Sequence, residues 1–408
     1  MSNKFETVVI GGGQAGLAMS YNLKQQGKDH IVLDQAAQPG NSWRNGRWDS
    51  FTLVTPNWSV QLPGAEYQGD APHAFMSRDE VVAYLEDYVE RFDLPVKFKA
   101  RATEVKAHSN GNGSRYLVRT DDEVFEASNV VVATGLFQQP KLPEFSSEIP
   151  ERIDQMHSSQ YRNPESLKSG AVLVVGTGQS GAQIAEELYK SGRVVYLCVG
   201  SAGRGPRRYR GKDIYDWLTM LPERTVDELP SPRAKFTGSP HVSGTKGGHS
   251  LNLHQFARDG VNLLGRLKGV EGEVITLKPD LKENLEKVDN FEQELLKMVD
   301  GLIAEAGLDS PEEEPVQLHD GYEVDEITEL DLKTTEISTI IWATGYKFDF
   351  GMVKLPAFDE DGYPIQKRGV TKYPGMYFLG LPWLYKQQSG LLFGVGDDAE
   401  FLASQIAT

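Results

Sequence analysis

Thr7-Val8-Val9-Ile10-Gly11-Gly12-Gly13-Gln14-Ala15-Gly16 decides the fold, because Val172-Leu173-Val174-Val175-Gly176-Thr177-Gly178-Gln179-Ser180-Gly181 repeats its design. Each stretch joins an apolar run to a Gly-x-Gly-x-x-Gly turn. The first glycine of such a turn allows a tight bend, and the second lets the backbone approach a pyrophosphate. The third lets the following helix pack close to its strand. Helix-start N–H groups, at Gln14 and Ala15 in one unit and Gln179 and Ser180 in the other, then face the phosphates. A single such turn is weak evidence in a chain with 41 glycines among 408 residues, but the whole strand–turn–helix unit occurs twice. The sequence therefore predicts an α/β protein with two Rossmann-like dinucleotide-binding domains. Two dinucleotides in one chain point to a flavin and a nicotinamide.

The two units differ at the ribose. The first continues through Ile31-Val32-Leu33 to Asp34, an acid about 20 residues past the glycines and placed to accept ribose hydroxyls. The second has no such acid. Its strand, Val194–Val199, runs into Gly200-Ser201-Ala202-Gly203-Arg204-Gly205-Pro206-Arg207-Arg208-Tyr209-Arg210. In a chain of net charge −16, Arg204, Arg207 and Arg208 read as a fork for a 2′-phosphate, with the Ser201 hydroxyl beside it. A solvated basic loop is the alternative. This assigns FAD to the first site and NADPH to the second. Both units close on the same turn, Ala133-Thr134-Gly135 and Ala343-Thr344-Gly345, which adds Gly135, Thr344 and Gly345 to the cofactor-lining set. Near the C-terminus, Tyr377 to Gly380 followed by Gln388-Ser389-Gly390-Leu391 reads as a strand end and a helix N-terminus aimed at the flavin. Gly380, Gly390 and Leu391 are its cofactor-binding candidates.

Composition narrows the partners. The acidic balance argues against nucleic acid and anionic membrane, and no stretch approaches 18 uninterrupted apolar residues. The first residues, Met1-Ser2-Asn3-Lys4, run straight into a strand, so a cytoplasmic protein is expected. Cys198 is the single cysteine, which excludes an internal disulfide and a Cys-x-x-Cys redox pair. His249 and His254 lack a cysteine or carboxylate neighbour to complete a metal site, so no metal is expected. No Gly-x-Ser-x-Gly elbow suggests a hydrolase.

Domain order follows from the turns. Residues 1–150 read as the first part of the FAD domain, 151–335 as an inserted NADPH domain, and 336–408 as the return segment. The loop from 40 to 75 is aromatic, and Ser77-x-x-Glu80 reads as a capping box opening a helix with Val81, Leu85 and Tyr88 on one face. Short strands are expected around 95–107, 115–120 and 123–126, with a turn at Asn110–Gly113 and a separate closing strand at Val130–Val132. Leu281, Leu285, Val288, Leu295 and Leu302 recur at helical spacing. That helix packs on its own domain or serves as a lid or homodimer surface. Residues 309–315 are an exposed linker.

With these residues in hand, the chain resembles the flavin-containing monooxygenases over essentially its whole length. The resemblance rests on both glycine turns, Gly40-x-x-Trp43, Thr55-Pro56-Asn57-Trp58, His157-Ser158-x-x-Tyr161 and Ala343-Thr344-Gly345-Tyr346. It departs where the class carries Phe-x-Gly ahead of the histidine: Glu151 and Ile153 stand there, which weakens a Baeyer–Villiger reading more than a monooxygenase one. The resemblance implies that NADPH reduces FAD, that O2 adds at flavin C(4a), and that the resulting (hydro)peroxide oxygenates a small substrate. It implies Trp43 as a cofactor contact and Asn57 as the catalytic residue beside the flavin. Asn57 is alternatively a cap on the Pro56 turn. The sequence does not choose among an amine, a sulfide, a ketone and a 2-oxo acid. A flavin reductase passing electrons to a quinone or protein without oxygen transfer, and a non-catalytic nucleotide-binding regulator, stay open.

Overall fold

The computed structural model describes residues 3–108, 115–236 and 240–406. The Asn110–Gly113 turn lies outside them. Strand β1 (Asn3–Ile10) leads into helix α1 (Gln14–Gln25), then β2 (His30–Leu33), helix α2 (Arg78–Arg91) and β3 (Val96–Lys97). Ser77 and Glu80 form the expected capping box at the start of α2. Next come β4 (Ala102–Ala107), β5 (Tyr116–Thr120) and β6 (Val124–Val132). The two segments expected as separate strands are thus one. On one side β6 pairs parallel with β1 from Phe125 to Val132, and on the other its first half pairs antiparallel with β5, which ties the small meander to the main sheet.

The second unit is a five-stranded parallel sheet. Its strands in chain order are β7 (Asp154–His157), β8 (Ala171–Val175) with helix α3 (Gln179–Lys190), β9 (Val195–Cys198) and β10 (Asn262–Leu264). After the 26-residue helix α4 (Leu281–Ala306) comes β11 (Ile337–Trp342). The order across the sheet is β7-β11-β8-β9-β10. Because β11 lies between β7 and β8, the second unit extends to the Gly345 turn, and the boundary expected at 336 moves downstream. Strands β12 (Gln366–Lys367), β13 (Val370–Thr371) and β14 (Met376–Phe378) then return to the first sheet, where β14 pairs parallel with β6. The closing helix is α5 (Val395–Gln405).

The valine- and isoleucine-rich strands β1, β6, β8 and β11 are buried on both faces, as expected of parallel strands covered by helices. Cys198 is a buried free thiol on β9, and burial raises its pKa. Helix α4 turns Leu281, Leu285, Val288, Leu295 and Val299 into the core of its own unit.

Candidate dinucleotide sites

The two glycine turns match atom for atom. Gly11 and Gly176 have φ of +109° and +104°, a region that favours glycine. A Cβ on Gly16 would stand 1.8 Å from the Gly11 carbonyl oxygen, and one on Gly181 would stand 1.9 Å from that of Gly176. Around Gly13 and Gly178 no atom lies within 4 Å of the Cβ position. The third glycine is therefore closed by packing, while the second faces open space. Gly135 and Gly345, at the turns after β6 and β11, face the same kind of space. Helices α1 and α3 begin with no side-chain cap and no acid in the first turn. Their first N–H groups are free to bind an anion.

Asp34 caps β2 and accepts from the Gly12 and Ala36 N–H groups, fixing a carboxylate beside the first turn. In the second unit Thr177 replaces Gly12, and its hydroxyl accepts from the Gly200 N–H at 2.9 Å. The C-terminal segment seals the first turn. Gln14 Nε2 donates to the Gly390 carbonyl at 2.8 Å, and Gly380 lies so near Ala15 that a Cβ there would come within 2.4 Å of the alanine methyl. Gln387–Gly390 is a short 3-10 turn, with Leu391 following it partly exposed. The next helix starts only at Val395 and carries Asp397 and Asp398 in its first turn, so its positive end meets carboxylates of its own.

Asn57 is 6% exposed and opens a 3-10 turn. Its N–H donates to Ala74 and its Nδ2 to the Ala71 carbonyl at 3.0 Å, while Oδ1 is buried without a partner. Trp58 Nε1 and Gln388 Oε1 are buried and unpaired as well, and the Trp58 ring approaches Phe393 at 6.4 Å. Such orphaned polar atoms are costly unless a ligand answers them. Together with the open glycine turns, they fit a flavin whose edge carries N–H and C=O groups. Trp43 is partly buried and lies 5.9 Å from Phe51.

The arginine fork needs correction. Arg204 and Arg207 do not face a phosphate: each side chain is 3% exposed. Arg204 forms ion pairs with Asp289 at 2.6 Å and Glu292 at 2.7 Å, both on α4. Arg207 grips Asp213 with two N–H groups, donates to the Val54 carbonyl at 2.7 Å, and stands over the Phe75 ring at 4.5 Å. It braces the loop that carries Asn57. Arg210 pairs with Asp300. Arg208 is exposed, with one contact of 3.3 Å to the Gly247 carbonyl, and Ser201 is exposed. These two remain as the 2′-phosphate candidates.

The histidines are structural. His157 Nε2 meets the Gly345 carbonyl at 3.0 Å, holding the Thr344-Gly345 turn, and burial lowers its pKa. Tyr161 donates to Glu187 at 2.7 Å. His249 pairs with Glu186 and His254 with Asp289. Sequence reasoning passed over Arg47, whose guanidinium lies over the rings of Trp43, Phe51 and Phe137. The aromatic run from 40 to 75 was the signal that pointed to it.

The family described as pyridine nucleotide-disulphide oxidoreductase matches residues 8–235. A CzcO-like oxidoreductase of Geobacillus kaustophilus, uncharacterized by name, is 34% identical over 100% of this chain and 99% of its own. The indole-3-pyruvate monooxygenase YUCCA1 of Oryza sativa subsp. japonica is 27% identical over 98% of this chain and 90% of its own. Among solved structures, a flavin-containing monooxygenase from Stenotrophomonas maltophilia aligns with a TM-score of 0.66 at 21% identity, covering 99% of this chain and 98% of that one. No helix among the described residues is long and apolar enough to cross a membrane. The chain belongs to the pyridine nucleotide-disulphide oxidoreductase family, as a flavoprotein oxidoreductase built on the flavin-monooxygenase fold.

Proposed function

We propose that this chain is a cytoplasmic, FAD-containing and NADPH-dependent monooxygenase that passes one atom of O2 to a small substrate with a soft nitrogen or sulfur nucleophile, or a 2-oxo group. The observation that supports it best is the matched pair of open glycine turns, at Gly13 and Gly178, each ahead of an uncapped helix. When bound, FAD supplies hydride acceptance from the nicotinamide and the activation of O2. The chain's residues bind, orient and keep the site dry. The N–H groups at the starts of α1 and α3 bind the two pyrophosphates, and Asp34 accepts from the adenosine ribose. Asn57 is clamped through Nδ2 to Ala71, so its free Oδ1 is held still and accepts a hydrogen bond from the flavin ring. Trp58 and Phe393 wall that side against water. Ser201 and Arg208 hold the 2′-phosphate. The buried Cys198 is the single thiol, so electrons cannot leave through a dithiol as the family's name suggests.

The test follows NADPH oxidation, O2 uptake and hydrogen peroxide release by the yellow protein, offered an amine, a sulfide, a ketone and a 2-oxo acid. Incorporation of heavy-isotope oxygen into one of them is expected. In Asn57→Ala the protein should keep FAD and oxidise NADPH yet release hydrogen peroxide with little product. Losing one such neutral hydrogen bond typically costs ~0.5–1.5 kcal/mol. Rapid dye or quinone reduction with no oxygenated product from any class would replace this reading with a reductase.

A further inference from the structure

Arg47 carries a charge that no acid of the described chain answers. Its neighbours are neutralised or tied down: Arg44 pairs with Glu86, Arg78 with Asp49 and Asp79, and Arg162 donates to the backbone carbonyls of Asn45 and Arg47. Arg47 donates to the Gly46 carbonyl at 2.9 Å and lies near the Tyr346 phenol. It forms no ion pair among the described residues. Its surroundings are aromatic instead, with the guanidinium 5.3 Å from the Trp43 ring, 5.4 Å from Phe51 and 4.7 Å from Phe137. Burial among these rings lowers its pKa, which marks a cation short of solvent.

Its place in the fold is specific. Phe137 follows the Gly135 turn and Tyr346 follows Gly345, and the two rings meet at 5.0 Å. Those turns follow β6 and β11 at the carboxyl ends of the parallel strands, where ligands of such sheets bind. Arg47 therefore stands beside the closing turns of both dinucleotide cradles. A guanidinium offers five donors in a planar fork, and the N–H groups left over match the two oxygens of a carboxylate. The exposed ring of Phe137, beside that fork, suits a flat apolar body attached to the carboxylate.

We propose that Arg47, with Trp43, Phe51, Phe137 and Tyr346 around it, binds the carboxylate of a flat, apolar organic acid that is the substrate of this enzyme. The word substrate rests on the monooxygenase reading; the binding site does not. A coenzyme phosphate is the other source of the same oxyanion chemistry.

The experiment is isothermal titration of the FAD-loaded protein with hydrocinnamate, with its neutral amide hydrocinnamamide, and separately with NADP+. Wild type should hold the acid roughly 10-fold or more tighter than the amide. In Arg47→Met that preference should vanish, with NADP+ affinity unchanged. If Arg47→Met instead weakens NADP+ about 10-fold and leaves the acid's affinity alone, the group bound is the coenzyme's phosphate and the proposal is overturned. Equal binding of acid and amide by wild type overturns it too. Should Arg47→Met lose FAD, Arg47→Lys keeps the charge without the fork and should weaken the acid alone; equal weakening of acid and amide is the contrary result. Oxygen incorporation plays no part in this titration, so a carboxylate site with no oxygenation would sink the monooxygenase reading and leave this one standing.

Discussion

At the scale of single residues, the glycine turns separate two kinds of necessity. Gly16 is closed by the Gly11 carbonyl, whereas Gly13 faces nothing. Gly16→Ala must push the helix off its strand, so a loss of ~1–3 kcal/mol or more and a lower melting temperature are expected even without flavin. Gly13→Ala should melt like wild type when stripped of FAD, yet rebind flavin poorly, because its methyl occupies the pyrophosphate's space. Flavin absorbance per chain, read beside the melt, distinguishes the two. The arginines divide the same way. Arg204→Ala would leave the half-buried Asp289 and Glu292 without their cation, Asp289 keeping only His254 and Tyr322, and a loss approaching about 3 kcal/mol should show as a much lower melting temperature. Arg208→Ala should leave the melt unchanged and raise the NADPH KM roughly 10- to 100-fold, with NADH kinetics unaltered. Equal effects on both coenzymes would remove Arg208 from the 2′-phosphate site. The sequence showed where the arginines cluster but not what they face. A carboxylate on α4, far along the chain, and a phosphate call for the same fork.

At the scale of elements, what depends on short-range spacing was readable and what depends on distant partners was not. The capping box at Ser77 and Glu80 needs residues three apart, and it stands as expected. Ser77→Ala should cost ~1 kcal/mol, visible as a small drop in melting temperature with flavin content intact. An unchanged melt would mean that the Glu80 carboxylate alone satisfies the helix start. The periodicity of α4 was equally plain, because one face of it is core. Phe291 on that helix is 39% exposed, yet its ring lies where any side chain at Gly203 would have to stand. Strand β6 was misread as two segments because the partner on one side changes midway, from β5 to β14, while β1 lines the other side throughout, and nothing local marks the exchange. The displaced domain boundary has the same origin: β11 is claimed by strands more than a hundred residues upstream.

For the whole molecule, buried histidines set the response to acid. Burial, reinforced by the neighbouring Arg204 charge, lowers the His241 pKa from 6.5 to about 3, and burial lowers those of His30 and His157. A lowered folded-state pKa means that below pH 6.5 the unfolded chain takes up protons which the folded chain refuses. Stability should therefore fall as pH drops from 6.5, by up to ~1.4 kcal/mol per pH unit for each such histidine. Glu186 and Asp289, whose pKa values are lowered by their partners, add their loss only at more acidic pH. Denaturant melts between pH 7 and 5 should show the first slope, and His241→Leu should flatten it by about one proton's worth. A profile as steep as wild type would mean that His241 is protonated in the folded protein.

The pairing of β14 with β6 also sets an order of assembly. Every strand of the second sheet, from β7 to β11, leaves the ribosome before the residues that complete the first. The first sheet must wait with β6 missing its outer neighbour, and the turn at Gly13 must wait for Gly380 and Gly390 to close over α1. The unit carrying Gly178 is thus free to fold while translation continues, whereas the unit carrying Gly13 is completed only by β14 and the segment after it. A fragment truncated after Gly345 would carry every strand of the second sheet but leave the Gly13 turn without its cover.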